Sequence, residues 1–140
     1  MTDLTLVASR TIKAPAKQIY DAWIDPNMLA KFMRPGPDMT VPKATVDARK
    51  GGRFAITMRS GEQDIPHAGT YLELSPYSRI VFTWESPFSF EGSTVTIDLA
   101  AKGDATEVTL THVKFSDETS RDNHAKGWEG ILAGLAETLG

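Results

Sequence analysis

The fold of this chain is decided by its last stretch, HAKGWEGILAGLAETLG (residues 124–140). Its large apolar residues recur at steps of three and four, which places them in one stripe along one face of an α-helix. These residues are Trp128, Ile131, Leu132, Leu135 and Leu139. The spacing therefore predicts a long terminal helix with one face covered by another part of the protein.

Three glycines, Gly127, Gly130 and Gly134, form a second stripe beside the apolar one. Each interior glycine costs a helix about 1 kcal/mol relative to alanine, so helix propensity does not account for them. Two explanations are open. The bare backbone allows close packing on a neighbouring element, or it leaves room for a ligand beside the helix.

The composition of the chain excludes several classes of protein. Its 140 residues suffice for one domain with a substantial core, so we expect a single domain over residues 1–140. The absence of cysteine excludes disulfides, thiol nucleophiles and thiolate metal sites. A formal net charge of −3 with scattered Lys and Arg argues against nucleic-acid binding. Because we find neither a secretion signal nor a membrane-spanning apolar run, we expect a cytoplasmic protein without a membrane partner.

The N-terminal part predicts one strand and two short helices. Apolar and polar residues alternate over residues 4–12, as in a half-buried strand. Pro15 suits the first position of a short helix. Asp25 and Pro26 suit the cap and the first position of a second helix, which runs through Met33. An irregular segment then carries Met39.

From Val41 onward, the period of the pattern changes to two, which is typical of strands with one buried face. Turn residues separate the runs, and residues 60–66 are interpreted as a polar loop. The pattern predicts about six antiparallel strands at hairpin spacing, and Asp117 then begins the terminal helix. Because an antiparallel sheet must cover its apolar face, we expect the sheet to curl around this helix and leave a cavity between them.

Short segments along nearly the whole chain resemble those of a known superfamily. They are IKAP (12–15), YDAWIDP (20–26), DARKGGRF (47–54), GTYLEL (69–74), IVFTW (80–84), TLTH (109–112) and GW (127–128), with Leu132 and Leu135. In this order they are similar to the SRPBCC superfamily, which has the START-related helix-grip fold. Within it, they resemble the group homologous to the activator of the Hsp90 ATPase. The resemblance implies an α+β fold in which a curved antiparallel sheet of six or seven strands wraps a long C-terminal helix, with two short helices after the first strand.

The resemblance also implies a range of functions. Members are carriers or sensors of apolar small molecules, aromatic polyketide cyclases, or partners of the chaperone. The chaperone-activating members resemble longer chains with an additional N-terminal domain, which argues against a chaperone partner here. Where the family often carries a second tryptophan, this chain has Phe32 and Met33, with Pro35 shortly after. This difference is expected to widen one wall of the pocket.

The favoured hypothesis is that an apolar or aromatic small molecule binds between the sheet and the terminal helix, without a cofactor or a metal ion. Phe88 and Phe90 could line the pocket entrance or pack at the rim of the core. The candidate ligand-binding residues are Phe32, Met39, Phe54, Ile56, Met58, Phe82, Trp84, Leu110, His112, His124, Trp128, Ile131 and Leu135.

Two alternatives remain open. His112 lies on the inward side of its strand and His124 in the apolar arc of the helix, so either could act as acid or base in a cyclase or dehydratase. Each could equally be a hydrogen-bonded core residue, and two histidines without a third ligand do not make a metal site. Ser93 is interpreted as a turn serine, and no catalytic residue is assigned. The other alternative is an interaction module that binds a chaperone or a second copy of the chain, as a homodimer.

Overall fold

A computed structural model describes residues 4–34, 38–86, 92–115 and 117–139. These ranges contain seven strands and three helices. The strands are β1 (Leu4–Ile12), β2 (Met39–Val46), β3 (Arg53–Ser60), β4 (Gln63–Ser75), β5 (Arg79–Thr83), β6 (Thr94–Lys102) and β7 (Ala105–Phe115). The helices are α1 (Ala16–Trp23), α2 (Pro26–Phe32) and α3 (Glu118–Leu139). Pro35, Phe88 and Phe90 lie outside the described residues.

The strands form one antiparallel sheet in the order β1-β7-β6-β5-β4-β3-β2. Pro42, which has no backbone N–H to donate, lies in the edge strand β2, where the pairing register shifts between Thr40 and Lys43. The long helix α3 packs against β1, β7 and α2. The predicted α+β helix-grip fold is therefore confirmed, including the two short helices after the first strand.

The helix starts follow from local hydrogen bonding. The Asp25 carboxylate accepts from the backbone N–H of Asn27 at 2.8 Å, and Pro26 is the first helical residue of α2, as predicted. Asp117 similarly accepts from the N–H of Ser120 at 2.7 Å before α3. Pro15 is the extended residue immediately before α1 rather than its first residue.

The interpretation of residues 60–66 as a polar loop was wrong. β3 continues to Ser60 and β4 begins at Gln63, with a tight turn at Gly61, whose φ is +63°. The Arg59 Nε atom donates to the Asp64 Oδ1 atom at 2.7 Å across the two strands. The polar composition reflects the exposure of this hairpin end and not an irregular backbone. β2 likewise begins at Met39, before the predicted start at Val41.

Close packing explains one of the three helix glycines. A Cβ atom at Gly134 would lie 3.3 Å from the carbonyl oxygen of Phe32, at the end of α2. A larger side chain would therefore push α3 away from α2. Gly134 thus permits the close approach of these helices, which bury Phe32 completely.

Candidate functional site

A cavity of about 480 Å³ lies between the β2–β3–β4 side of the sheet and the first half of α3. Strand residues and residues in or next to the first turns of α3 share its lining. The lining residues are Met39, Met58, Ile65, His67, Trp84, Ser86, Asp117, Thr119, Ser120, Asn123, His124, Gly127, Trp128 and Ile131.

Two tryptophans form the aromatic wall of the cavity. The ring centroids of Trp84 and Trp128 are 4.9 Å apart, and their planes meet at 57°. His67 packs on Trp84 with a centroid distance of 5.0 Å. Because Trp84 and Trp128 are only 4% and 2% exposed, their neighbours fix them before any ligand enters. Only small parts of the two indole rings therefore reach the cavity, in fixed positions, and the half-buried ring of His67 is the more accessible aromatic group on this side.

The opposite side of the cavity is polar and comes mostly from the start of α3. Here Asp117, Thr119, Ser120 and Asn123 follow one another along the first turns. Asp117 is the only Asp, Glu, Lys or Arg among the described residues that line the cavity. Its carboxylate accepts from the Ser120 N–H, so its negative charge lies at the N-terminal end of the helix.

Two histidines, His67 and His124, line the cavity. The Nδ1 atom of His67 lies 3.1 Å from the carbonyl oxygen of Ile65, and that of His124 lies 2.8 Å from the carbonyl oxygen of Ser120. A carbonyl oxygen only accepts, so Nδ1 carries a proton in both rings. Burial lowers the pKa of His67 to about 4, although nearby backbone carbonyls oppose the shift. His67 is therefore neutral at pH 7.

The third histidine, His112, is fully buried behind the cavity wall. Its Nδ1 atom accepts from the indole Nε1–H of Trp128 at 2.9 Å, so in the neutral ring Nε2 carries the proton and donates to the hydroxyl of Ser93. Burial lowers its pKa to about 3, and neighbouring His124 contributes to the shift. A base that activates a serine would have to accept the serine proton, which is the reverse arrangement. His112 thus holds Trp128 in place and does not activate Ser93, which is itself buried rather than an exposed turn residue.

The structure brings six of the predicted ligand-binding residues to the cavity. They are Met39, Met58, Trp84, His124, Trp128 and Ile131. Three others, Phe54, Ile56 and Phe82, surround a separate internal space of about 10 Å³ that Trp84 also borders. The remaining four, Phe32, Leu110, His112 and Leu135, are fully buried in the core.

Strand parity accounts for the five strand residues among the seven that lie outside the cavity, whereas Phe32 and Leu135 belong to α2 and α3, which pack on each other. Parity identifies the side chains that face inward, but it does not reveal where along each strand the helix makes direct contact. α3 packs against β1, β7 and α2, and this contact fills the part of the interior around Leu110 and Leu135. The cavity remains only toward β2, β3 and β4.

Eight lining residues were absent from the predicted ligand-binding set: Ile65, His67, Ser86, Asp117, Thr119, Ser120, Asn123 and Gly127. Gly127 belongs to the glycine stripe that predicted either close packing or room for a ligand. Two signals could have found some of them. Ile65 and His67 are two apart and pair with the inward residues Met58 and Ile56. Ser120 lies one helical turn before His124, on the same face of α3. The face that carries the apolar residues therefore continues toward the N-terminus with polar ones.

The described part of the chain offers neither a cluster of metal ligands nor a membrane-spanning helix. Its His, Asp and Glu side chains include no group of three or more that could hold a metal ion. None of its helices is long and apolar enough to cross a membrane.

Comparison with known proteins gives a family match and many structural relatives. Residues 13–140 match the family model described as "Activator of Hsp90 ATPase homolog 1-like protein". The crystal structure of a protein from Chromobacterium violaceum is similar to that of this chain, with a TM-score of 0.87 and 28% sequence identity. The match covers 97% of each chain. Comparison with curated proteins gives no significant match.

Two further solved structures share the fold at lower identity. An AHSA1-like protein from Aeromonas hydrophila has a TM-score of 0.82 and 24% identity over 96% of this chain and 90% of that one. An HSP90 activator from Plasmodium falciparum has a TM-score of 0.76 and 21% identity, and the match covers 96% of this chain and 95% of that one. The family resemblance drawn from the sequence is confirmed.

Proposed function

Because the chain belongs to the Activator of Hsp90 ATPase homolog 1-like family and has a cavity beside α3, we propose that it binds an apolar or aromatic small molecule there. The observation that carries this proposal is the cavity itself. Its volume of about 480 Å³ suits a small organic ligand, and its wall is made of Trp84, Trp128 and two methionines.

The packing around the cavity favours binding because the wall is preorganised. Trp128 is held by its hydrogen bond to His112, and Trp84 packs against both Trp128 and His67. Binding to rings that are already fixed costs less conformational entropy than binding to rings that the ligand must order. Met39 and Met58 contribute flexible apolar side chains that adapt to ligands of different shape.

A cavity-filling substitution tests the proposal. Ile65→Trp adds a large side chain at a half-buried lining position, and Leu72→Trp makes a comparable change on the same strand at a residue that is 44% exposed. The probe is N-phenyl-1-naphthylamine, an uncharged compound whose fluorescence rises in apolar surroundings. We expect Ile65→Trp to weaken its binding at least ten-fold and Leu72→Trp to leave it unchanged.

Thermal unfolding provides a second measurement. A ligand at about 100 times its dissociation constant stabilises the fold by roughly 2.7 kcal/mol. N-phenyl-1-naphthylamine should therefore raise the Tm of the natural chain and of Leu72→Trp, but not that of Ile65→Trp. The proposal fails if the probe binds Ile65→Trp as tightly as it binds the natural chain, or if neither this probe nor naphthalene and its derivatives bind the natural chain.

The enzyme hypothesis keeps one supporting observation, since His67 and His124 share the cavity. His112 does not support it because both of its ring nitrogens are occupied by Trp128 and Ser93. The exposed large apolar residues among those described bear on the interaction module. They are separate from one another, with Val7 in β1, Leu72 in β4 and Tyr77 in the turn between β4 and β5. Single exposed apolar residues are ordinary, so they favour neither a chaperone partner nor a homodimer.

A further inference from the structure

We propose that the molecule bound in this cavity is an uncharged aromatic compound carrying a hydroxyl group, whose hydrogen bond is accepted by the Nε2 atom of His124. This inference rests on the proposed function and specifies the class of ligand. Three features of the cavity support it: the tautomer of His124, the charge of the lining and the aromatic wall.

The helix backbone sets the tautomer of His124. Its Nδ1 atom donates to the carbonyl oxygen of Ser120 at 2.8 Å, one turn earlier in α3. In the neutral ring, Nε2 then has a lone pair and no proton, so it can only accept a hydrogen bond. No described residue is bonded to Nε2, and His124 lines the cavity. A ligand hydroxyl is a suitable partner because it donates without carrying a charge.

The charges around the cavity disfavour an acidic ligand. The described lining contains no Lys or Arg, and it includes the carboxylate of Asp117. His67 also contributes no positive charge at pH 7, since burial keeps its pKa near 4. None of the residues outside the described ranges is Lys or Arg. A carboxylate ligand would therefore lose hydration without gaining a Lys or Arg partner, and it would be repelled by Asp117.

The shape of the wall favours a flat ring over a flexible chain. Trp84, Trp128 and His67 provide three ring systems, and consecutive centroids are 4.9 to 5.0 Å apart. Aromatic ligands pack on such rings in stacked or edge-to-face arrangements. His124 is on the helix side of the same cavity, so a hydroxyl at one edge of a ring system can face it while the ring contacts His67 and the exposed parts of Trp84 and Trp128.

Four probes that differ by one substituent test this inference: naphthalene, 2-naphthol, 2-methoxynaphthalene and 2-naphthoate. Each is titrated into the natural chain by isothermal calorimetry at pH 8, above the ordinary titration range of histidine. We expect 2-naphthol to bind about three- to ten-fold more tightly than 2-methoxynaphthalene, which cannot donate a hydrogen bond. We expect 2-naphthoate to bind at least ten-fold more weakly than 2-naphthol.

A matched pair of variants tests whether His124 causes the preference for 2-naphthol over 2-methoxynaphthalene. His124→Phe keeps a ring at this position but removes the acceptor, and it should bind 2-naphthol and 2-methoxynaphthalene equally. Lys126→Ala changes an exposed residue of the same helix and should keep the preference of the natural chain. If His124→Phe does not fold, His124→Leu, which also lacks an acceptor, takes its place in the same comparison.

The outcomes separate this inference from the proposed function. Equal binding of all four probes, tighter binding of 2-naphthoate, or an unchanged preference in His124→Phe overturns the inference, although the cavity still binds ligand. Failure of both N-phenyl-1-naphthylamine and the naphthalene series to bind overturns the proposed function as well.

Discussion

His112 shows how one buried residue can support a site that it does not line. It joins Ser93 on one side to Trp128 on the other, and Trp128 forms part of the cavity wall. The alternation of β7 correctly places His112 inward, but the sequence does not reveal its partners. They lie 19 and 16 positions away and meet only in the folded chain.

Replacing His112 with Phe should destabilise the protein strongly. The buried Trp128 N–H and the Ser93 hydroxyl would both lose a partner, and each buried unsatisfied group costs about 1–3 kcal/mol. We expect His112→Phe to lower the free energy of unfolding by about 2–4 kcal/mol, measured by urea denaturation. The double variant with Ser93→Ala is the control, because it removes one orphaned group and should cost less than the sum of the two single changes. A loss below about 1 kcal/mol for His112→Phe would contradict this account.

At the scale of the elements, α3 has two structural roles, packing on α2 and bordering the cavity. Its sequence pattern does not distinguish the residues that serve each role. Its C-terminal half packs on α2 at Gly134, whereas its N-terminal half borders the cavity at Gly127. The glycine stripe predicted either close packing or room for a ligand; in the structure Gly134 packs closely on α2, and Gly127 borders the cavity. Helical periodicity predicts the face of α3 on which a residue lies. It does not predict that α2 packs on this face, because the path of the chain between α2 and α3 determines that contact.

The contact at Gly134 predicts a difference between two valine substitutions in α3. Gly134→Val places branched methyl groups against the Phe32 carbonyl, which a Cβ atom alone would approach to 3.3 Å. Glu137→Val introduces the same residue at an exposed position of the same helix. We expect Gly134→Val to lower the unfolding free energy by about 1–3 kcal/mol more than Glu137→Val. Equal stabilities in urea denaturation would show that α2 and α3 are not in close contact.

Across the whole molecule, the sequence predicts the order of the elements better than the position of the cavity. Local signals fix the strands and the caps at Asp25 and Asp117, because each depends on neighbouring residues. The position of the cavity depends instead on which strands α3 leaves uncovered, and these include β2, β3 and β4. Inward parity therefore identifies Met58 and Trp84 as lining residues, but it equally identifies Leu110, which the helix buries.

Two histidines with lowered pKa values, His67 and His112, make the stability of the whole fold depend on pH. Burial lowers the pKa of His67 to about 4 and that of His112 to about 3, whereas histidine in an unfolded chain titrates near 6.5. Below about pH 6.5, the unfolded chain therefore binds protons that the folded chain does not, which favours unfolding. The stabilisation is complete above about pH 7 and is lost as the pH falls toward the folded values.

We expect the free energy of unfolding to fall by roughly 3–4 kcal/mol between pH 7 and pH 5, with His67 and His112 contributing about equally. Asp64 and Glu85 have lowered pKa values because Arg59 and Arg53 donate hydrogen bonds to them, so their contributions are lost only below about pH 4. Urea denaturation at pH 7, 6 and 5 measures the fall. His67→Phe keeps an aromatic ring against Trp84 and should show about half of it. A natural chain whose stability is constant over this range would show that these histidines are not held neutral by the fold.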